Sequence, residues 1–213
     1  MTGRYRPLIP ALIVEGPSDE PFLRQLIQRQ LEETVADRAL RATFVTPCEI
    51  SPVRSTAQFP VLLAEARRLA DRCDLLFVHR DHKEGAEADR LVDELSGLPA
   101  SAAMAVVLVP RLMTESWVLA DREALRRVQP TADLDAYPYS QPADVESANP
   151  SPAHPGHPKK VLEAVLSRAR RREPADYFER LADAVDLAVL AKLPSYQRWL
   201  ADTDEALKRK KYL

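Results

Sequence analysis

Short runs of apolar residues alternating with amphipathic stretches constrain this chain more than any other feature. Leu8 to Val14 (LIPALIV), Leu75 to Val78 (LLFV) and Met104 to Val109 (MAVVLV) are apolar on successive residues, and Ala42 to Pro47 (ATFVTP) is a weaker run. Strands that read this way are covered by helices on both faces. After the first run, Ser18 is placed to cap a helix whose stripe is Phe22, Leu23, Leu26, Ile27 and Leu31. Val61, Leu62, Leu63, Ala66, Leu69 and Ala70 form the stripe of a second helix. The alternation predicts an α/β fold: a mostly parallel four-stranded sheet with right-handed crossovers and helices on both faces.

Prolines divide the rest. Seven of the 18 lie between Pro130 and Pro158, against 5 glycines in all, and a ring that fixes φ and removes a donor makes a long, mostly extended connection there. The expected organisation is a core over 1–129, a proline-rich connecting loop over 130–157 and a C-terminal helical extension over 158–213 packing on the core. Helices are expected at Thr114 to Arg127, Lys159 to Arg172, Pro174 to Ala191 and Ser195 to Lys210, and the terminal KRKKY (208–212) is expected to fray or touch a partner.

With 213 residues, 30 Lys and Arg against 32 Asp and Glu, and a net charge of −2, the chain is long enough for one sizeable core and exerts no bulk pull on phosphate backbones. Cys48 and Cys73 lack metal-type spacing and read as reduced core residues. The first apolar run is interrupted at Glu15, too soon for a signal peptide or a membrane span, so a cytoplasmic, soluble protein with no membrane partner is expected.

Ligands of open parallel sheets sit beyond the carboxyl ends of the strands. Three of the four runs end in acid there: Glu15, Asp19 and Glu20 after the first; Asp81 and Glu84 after the third; Glu115 after the fourth. A charge that directly follows apolar strand residues is costly to bury unless paired or metal-bound, which favours function for Glu15 and Asp81. Asp19, Glu20 and Glu115 serve equally well as first-turn acids that offset a helix dipole. Crowded carboxylates fit Mg²⁺ or Mn²⁺, which takes one or two of them and leaves other positions to water and substrate phosphate. His79 and His82 flank Asp81 and stand open as metal ligands, a general base, phosphate contacts or solvated loop residues. His154 and His157 read as surface residues, and Trp117, Val118 and Leu119 as core.

The run LIVEGPSDEPFLRQLI (12–27), with an acid at the strand end and another in the next helical turn, resembles the opening motif of Toprim-like domains. LLFVHRDHKEG (75–85) resembles their second acidic strand end. VPRLMTESWVLADREAL (109–125), followed by HPKKVLEAVL (157–166), is similar to an uncharacterised bacterial Toprim-related family, relatives of the nucleases attached to overcoming-lysogenization-defect type ATPases. The resemblance implies a Toprim-like sheet and metal-dependent phosphoryl transfer on nucleic acid. It makes Glu15 the first metal acid, Asp19 the helix acid and Asp81 the leading Asp of an Asp-x-Asp pair. It also suggests an ATPase partner in antiviral defence. Lys83 stands where the second Asp of the pair belongs, and Glu84 follows one place late. Glu84 in a shifted loop, Lys83 replacing a metal charge, or a single well-bound ion are the readings this leaves.

The expectation is therefore a Mg²⁺- or Mn²⁺-dependent nuclease acting on DNA or RNA. Glu15, Asp81 and Glu115 are its candidate catalytic residues, with Glu15, Asp19, Asp81 and Glu84 as metal ligands. His82, Lys83, Lys159 and Lys160 are the candidates to meet substrate, and Lys159 and Lys160 read equally as a solvated helical face. The rival expectation is a degenerate Toprim-like binding or sensor module that docks on an ATPase or effector. A flavodoxin-like nucleotide binder lacks the Gly-rich loop it needs. The basic clusters at 168–172 (RARRR) and 208–211 (KRKK) suit a nucleic-acid backbone, an acidic partner or plain solvent.

Overall fold

The computed structural model describes residues 5–81, 85–96, 102–166 and 174–213. Its centre is a parallel four-stranded sheet in which β2 (Pro10–Ile13), β4 (Glu49–Ile50), β5 (Leu75–His79) and β6 (Met104–Leu108) lie in the order β4-β2-β5-β6. The side chains of each strand alternate between two cores. Leu12, Leu75, Phe77, Val106 and Leu108 face one, and Ala11, Ile13, Leu76 and Val78 face the other. The helices α2 (Phe59–Ala70) and α3 (Gly85–Ser96) cover the second face through Leu62, Ala66, Leu69, Leu91 and Leu95. The first face takes α1 (Glu20–Arg38), whose buried stripe is the one the sequence predicts, together with the later helices. The fold is α/β, with a parallel sheet between helical layers and further helices at the C-terminal end.

Several elements differ from expectation for visible reasons. The first apolar run is two strands: β1 (Arg6–Leu8) pairs with β3 (Thr43–Val45) in a separate two-stranded parallel sheet, and β2 begins at Pro10. Proline has no amide proton, and the Ile9 N–H bonds the Asp74 carboxylate instead of a strand, so the ladder changes partner there. The 42–47 run therefore lies outside the main sheet, whose edge is the two-residue β4, too short to leave a hydrophobic signature. Ser18 does not cap α1; Asp19 occupies that position, and Pro21 follows in the first turn. Val61, counted in the stripe of α2, is half exposed.

The helix expected over 114–127 is broken into α4 (Thr114–Leu119) and α5 (Arg122–Val128) because the Asp121 carboxylate accepts the N–H groups of Glu123 and Ala124 and starts a new helix. The helix expected over 174–191 is a 3₁₀ turn (Pro174–Tyr177), α7 (Phe178–Ala184) and α8 (Leu187–Leu190), the last capped in the same way by Asp186. Next to the connection, α6 is described over Pro158–Leu166, while 167–173, with the Arg168 to Arg172 cluster, lie outside the described residues.

The proline segment is not mostly extended. It folds into 3₁₀ turns at Leu134–Ala136 and Pro142–Ser147, and it buries Val145 and Glu146. The Glu146 carboxylate accepts the Ser195 N–H and hydroxyl at the start of α9 (Pro194–Arg209), and the Ser195 Oγ accepts the indole N–H of Trp117 at 2.8 Å. Loop, α4 and final helix are thus fastened at one point. Trp199 on α9 contacts Phe77 on β5 and Trp117 on α4, so the aromatic core runs from the sheet to the last helix. The terminal KRKKY does not fray: Tyr212 is buried under the Arg6 guanidinium and donates its hydroxyl to the Pro7 carbonyl, and Lys210 donates to the Ala102 carbonyl. His157, expected at the surface, is buried, whereas His154 is exposed. Both cysteines are free and buried, and burial pushes each thiol up to about 12, which leaves them inert. Among the described residues no helix is long and apolar enough to cross a membrane.

Candidate active site at the carboxyl ends of the central strands

The chain leaves β2 for β4 on one side and later places β5 on the other, so the order reverses between β2 and β5. A crevice opens at such a switch point, outside the carboxyl ends of the two strands. Glu15 lies two residues beyond β2, and Asp81 two residues beyond β5. The two meet: the Asp81 N–H donates to Glu15 Oε2 at 2.9 Å. Asp19, at the start of α1, and Glu115, in the first turn of α4, complete a group of four carboxylates that act on one another electrostatically.

Their charge is poorly compensated. Burial, then the nearby charges of Asp19, Glu15 and Glu115, push the Asp81 carboxyl up to about 7, against the pull of Lys159. Burial also raises Asp19, opposed by hydrogen bonds from Thr114 and the Gly16 N–H and by Lys159. Glu115, also raised by burial, has Lys159 Nζ 3.7 Å from its Oε1. Asp81 Oδ1 is buried and accepts no hydrogen bond among the described residues.

Two basic side chains approach from opposite sides. Arg80 is buried, with its Nε 4.0 Å from Glu15 Oε2 and a terminal nitrogen donating to the Ser55 carbonyl at 2.7 Å. Lys159, at the start of α6, is more than half exposed and sits at the rim. Lys160 points elsewhere and pairs with Glu163 on its own helix, and Glu20 pairs with Arg54. The structure therefore gathers Glu15, Asp19, Asp81, Glu115 and Lys159 and leaves Lys160 out. His82, Lys83 and Glu84 lie outside the described residues.

His79 is neither a solvated loop residue nor an accessible base. It is the last residue of β5, fully buried, with burial holding its imidazole low, at about 3. Both ring nitrogens are engaged, Nδ1 by the Glu15 N–H at 3.3 Å and Nε2 by the Thr114 hydroxyl at 3.2 Å. Thr114, Arg80 and Ser55 are the site-proximal residues that sequence reasoning does not reach. Arg80 alone leaves a signal there, as a charge wedged between strand residues and Asp81.

The carboxylates suit a hard cation in type and in their shortage of counter-charge. Among the described residues no group of three or more His, Cys, Asp or Glu side chains is arranged to hold a metal ion. Mg²⁺ commonly takes only one or two protein carboxylates, leaving its other positions to water and substrate oxygens.

Fold and site together define an α/β protein with an acidic crevice at its strand-order reversal. The chain belongs to the family described as a domain of unknown function (DUF4276), whose model matches residues 14–202 and so spans every acid of the crevice as well as Lys159. No curated protein and no solved structure matches it.

Proposed function

We propose that this protein is a Mg²⁺- or Mn²⁺-dependent nuclease of Toprim-like type, acting on DNA or RNA, with an ATPase as its partner protein. The observation that carries the reading is the Glu15–Asp81 contact at the switch point: the Glu15 carboxylate accepts the Asp81 backbone N–H, and Asp81 Oδ1 is buried and accepts no hydrogen bond among the described residues. Four acids drawn together against Arg80 and the exposed Lys159 cost stability, and a divalent cation would relieve that cost.

Glu15 and Asp81 would hold the ion, with Asp19 and Glu115 supporting from the helix starts. A bound Mg²⁺ or Mn²⁺ would supply Lewis-acid stabilisation of a phosphodiester and a more acidic water. Arg80, 4.0 Å from Glu15 on the buried side, would offset part of that carboxylate's charge. Lys159, at the exposed rim, is placed to meet a substrate phosphate. Without the ion Asp81 gives up its proton only near neutrality, and a bound cation would hold its carboxylate ionised.

The test is cleavage of single- and double-stranded DNA and RNA in Mg²⁺ or Mn²⁺ by the wild type, Glu15→Gln, Asp81→Asn and Lys159→Ala. The reading expects loss of cleavage in the two acid variants with folding intact, and weakened substrate binding in the lysine variant. Unchanged cleavage in both acid variants removes the assignment. One observation favours a second reading, a cation-free module that docks on an ATPase or effector: no three described side chains are set to surround an ion. Tight partner binding without Mn²⁺ binding or cleavage would select it.

A further inference from the structure

The ladder between β2 and β5 ends at the Ile13–Val78 pair, and the buried backbone groups beyond it, which lead to Glu15 and Asp81, need other partners. Ser55, on the loop that follows β4, supplies two of them. Its N–H donates to the Val14 carbonyl at 3.1 Å, and its hydroxyl donates to the His79 carbonyl at 2.6 Å. Its own carbonyl accepts a terminal nitrogen of Arg80 at 2.7 Å. One completely buried residue thus bonds the residue before Glu15 and the two residues before Asp81. The loop that carries it is itself pinned: the Ser51 N–H donates to the Leu12 carbonyl at 2.9 Å, and the Ser51 hydroxyl donates to Glu65 at 2.8 Å. An alanine at position 55 would keep both backbone bonds and lose only the tie from the hydroxyl to β5.

We propose that Ser55 is a positioning residue, which clamps the ends of β2 and β5 at the separation that lets the Asp81 N–H reach the Glu15 carboxylate. Parallel strands are not joined to each other by a tight turn, so past the last ladder bond their spacing depends on what bridges them. Ser55 bridges them from the edge of the sheet, and the bond from the Glu15 N–H to His79 Nδ1 at 3.3 Å closes the same gap between the strands. Removing the hydroxyl takes a donor from a buried carbonyl, and the end of β5 then shifts to recover one. Asp81, two residues further on, moves with it and loosens its 2.9 Å bond to Glu15. Partners one step removed from a metal's ligands set the placement of those ligands in this way. The inference rests on the proposed reading of Glu15 and Asp81 as the acids that hold the ion.

Amide NMR with hydrogen exchange on the full chain, combined with calorimetric titration of Mn²⁺ and thermal melts, tests it on wild type and Ser55→Ala. The expected wild type shows a Ser55 N–H that exchanges as slowly as the strand amides. In Ser55→Ala the Asp81 amide proton is expected to move upfield and exchange faster, and Mn²⁺ affinity to fall by about tenfold or more. A wild-type Ser55 N–H that exchanges as fast as an exposed loop amide, which needs no variant to observe, overturns the clamp. So does a Ser55→Ala protein that melts lower but keeps the wild-type Asp81 amide signal and Mn²⁺ affinity, since Ser55 then serves stability alone. Wild type that binds no Mn²⁺, with the Asp81 amide still displaced in Ser55→Ala, removes the metal reading and upholds the clamp.

Discussion

A carboxyl group buried beside three others gives up its proton reluctantly, and Asp81 shows the consequence most clearly. Its folded value is raised from 3.8 to about 7, chiefly by burial. The native state thus binds this proton more tightly than the unfolded chain, and stability falls as pH rises from the ordinary carboxylate range through about 7, above which the whole penalty is present. Asp81→Asn removes the ionisable group. Without divalent cation it should melt above wild type at mildly alkaline pH, by about 2–4 °C if solvent at this partly exposed side chain leaves about 1 kcal/mol of the penalty. The gap should narrow on acidification; a gap that stays constant with pH, in a thermal melt series, would contradict the assignment. Glu15 and Asp81 are legible in the sequence because an acid within three residues of the end of a strand's apolar run lies at the strand's carboxyl end. Thr114 is not, since a hydroxyl opening a helix looks the same whether it faces a site or water. His79 is legible as a neighbour of the site but not as its buried support, because burial depends on which element packs over the strand end.

Among the elements, β2, β5, β6 and the first two helices follow from the apolar pattern, since an unbroken apolar run suits a strand covered on both faces and each stripe matches one face of its helix. Short elements escape it. The two-residue β4 has too few side chains to show alternation, and the breaks at Asp121 and Asp186 turn on one carboxylate each finding backbone N–H groups two or three residues ahead. The proline segment misleads in the other direction: its composition predicts an extended connection, yet Glu146 and Val145 anchor it. Glu146 satisfies the N–H and hydroxyl of Ser195 at the start of a helix whose cap position, Leu193, has no side-chain acceptor. Glu146→Ala should cost about 1–3 kcal/mol, in line with loss of a buried hydrogen-bonded cap. Urea denaturation gives the magnitude, and amide exchange should show the first turn of α9 loosening before the rest. An unchanged midpoint would mean that the loop is not fastened through this residue.

At the scale of the whole molecule, the aromatic contacts from Phe77 through Trp199 to Trp117 and Tyr196 join the sheet to the C-terminal helices. Trp199→Ala should therefore destabilise by about 3–5 kcal/mol and lower a single cooperative transition, because the cavity opens against a sheet strand as well as against helices. Two separate transitions, with only one displaced, would show that the helices fold apart from the sheet. The same architecture delivers the site: reversal of strand order brings the Glu15 carboxylate into hydrogen-bond contact with the Asp81 backbone N–H, 66 positions away, and α4 and α6 carry Glu115 and Lys159 to the same place. Calorimetric titration of Mn²⁺ into wild type and Asp81→Asn at mildly alkaline pH tests this convergence most directly. Saturable binding by the wild type that is lost in the variant is the predicted result; no binding by the wild type, or equal binding by both, would contradict it.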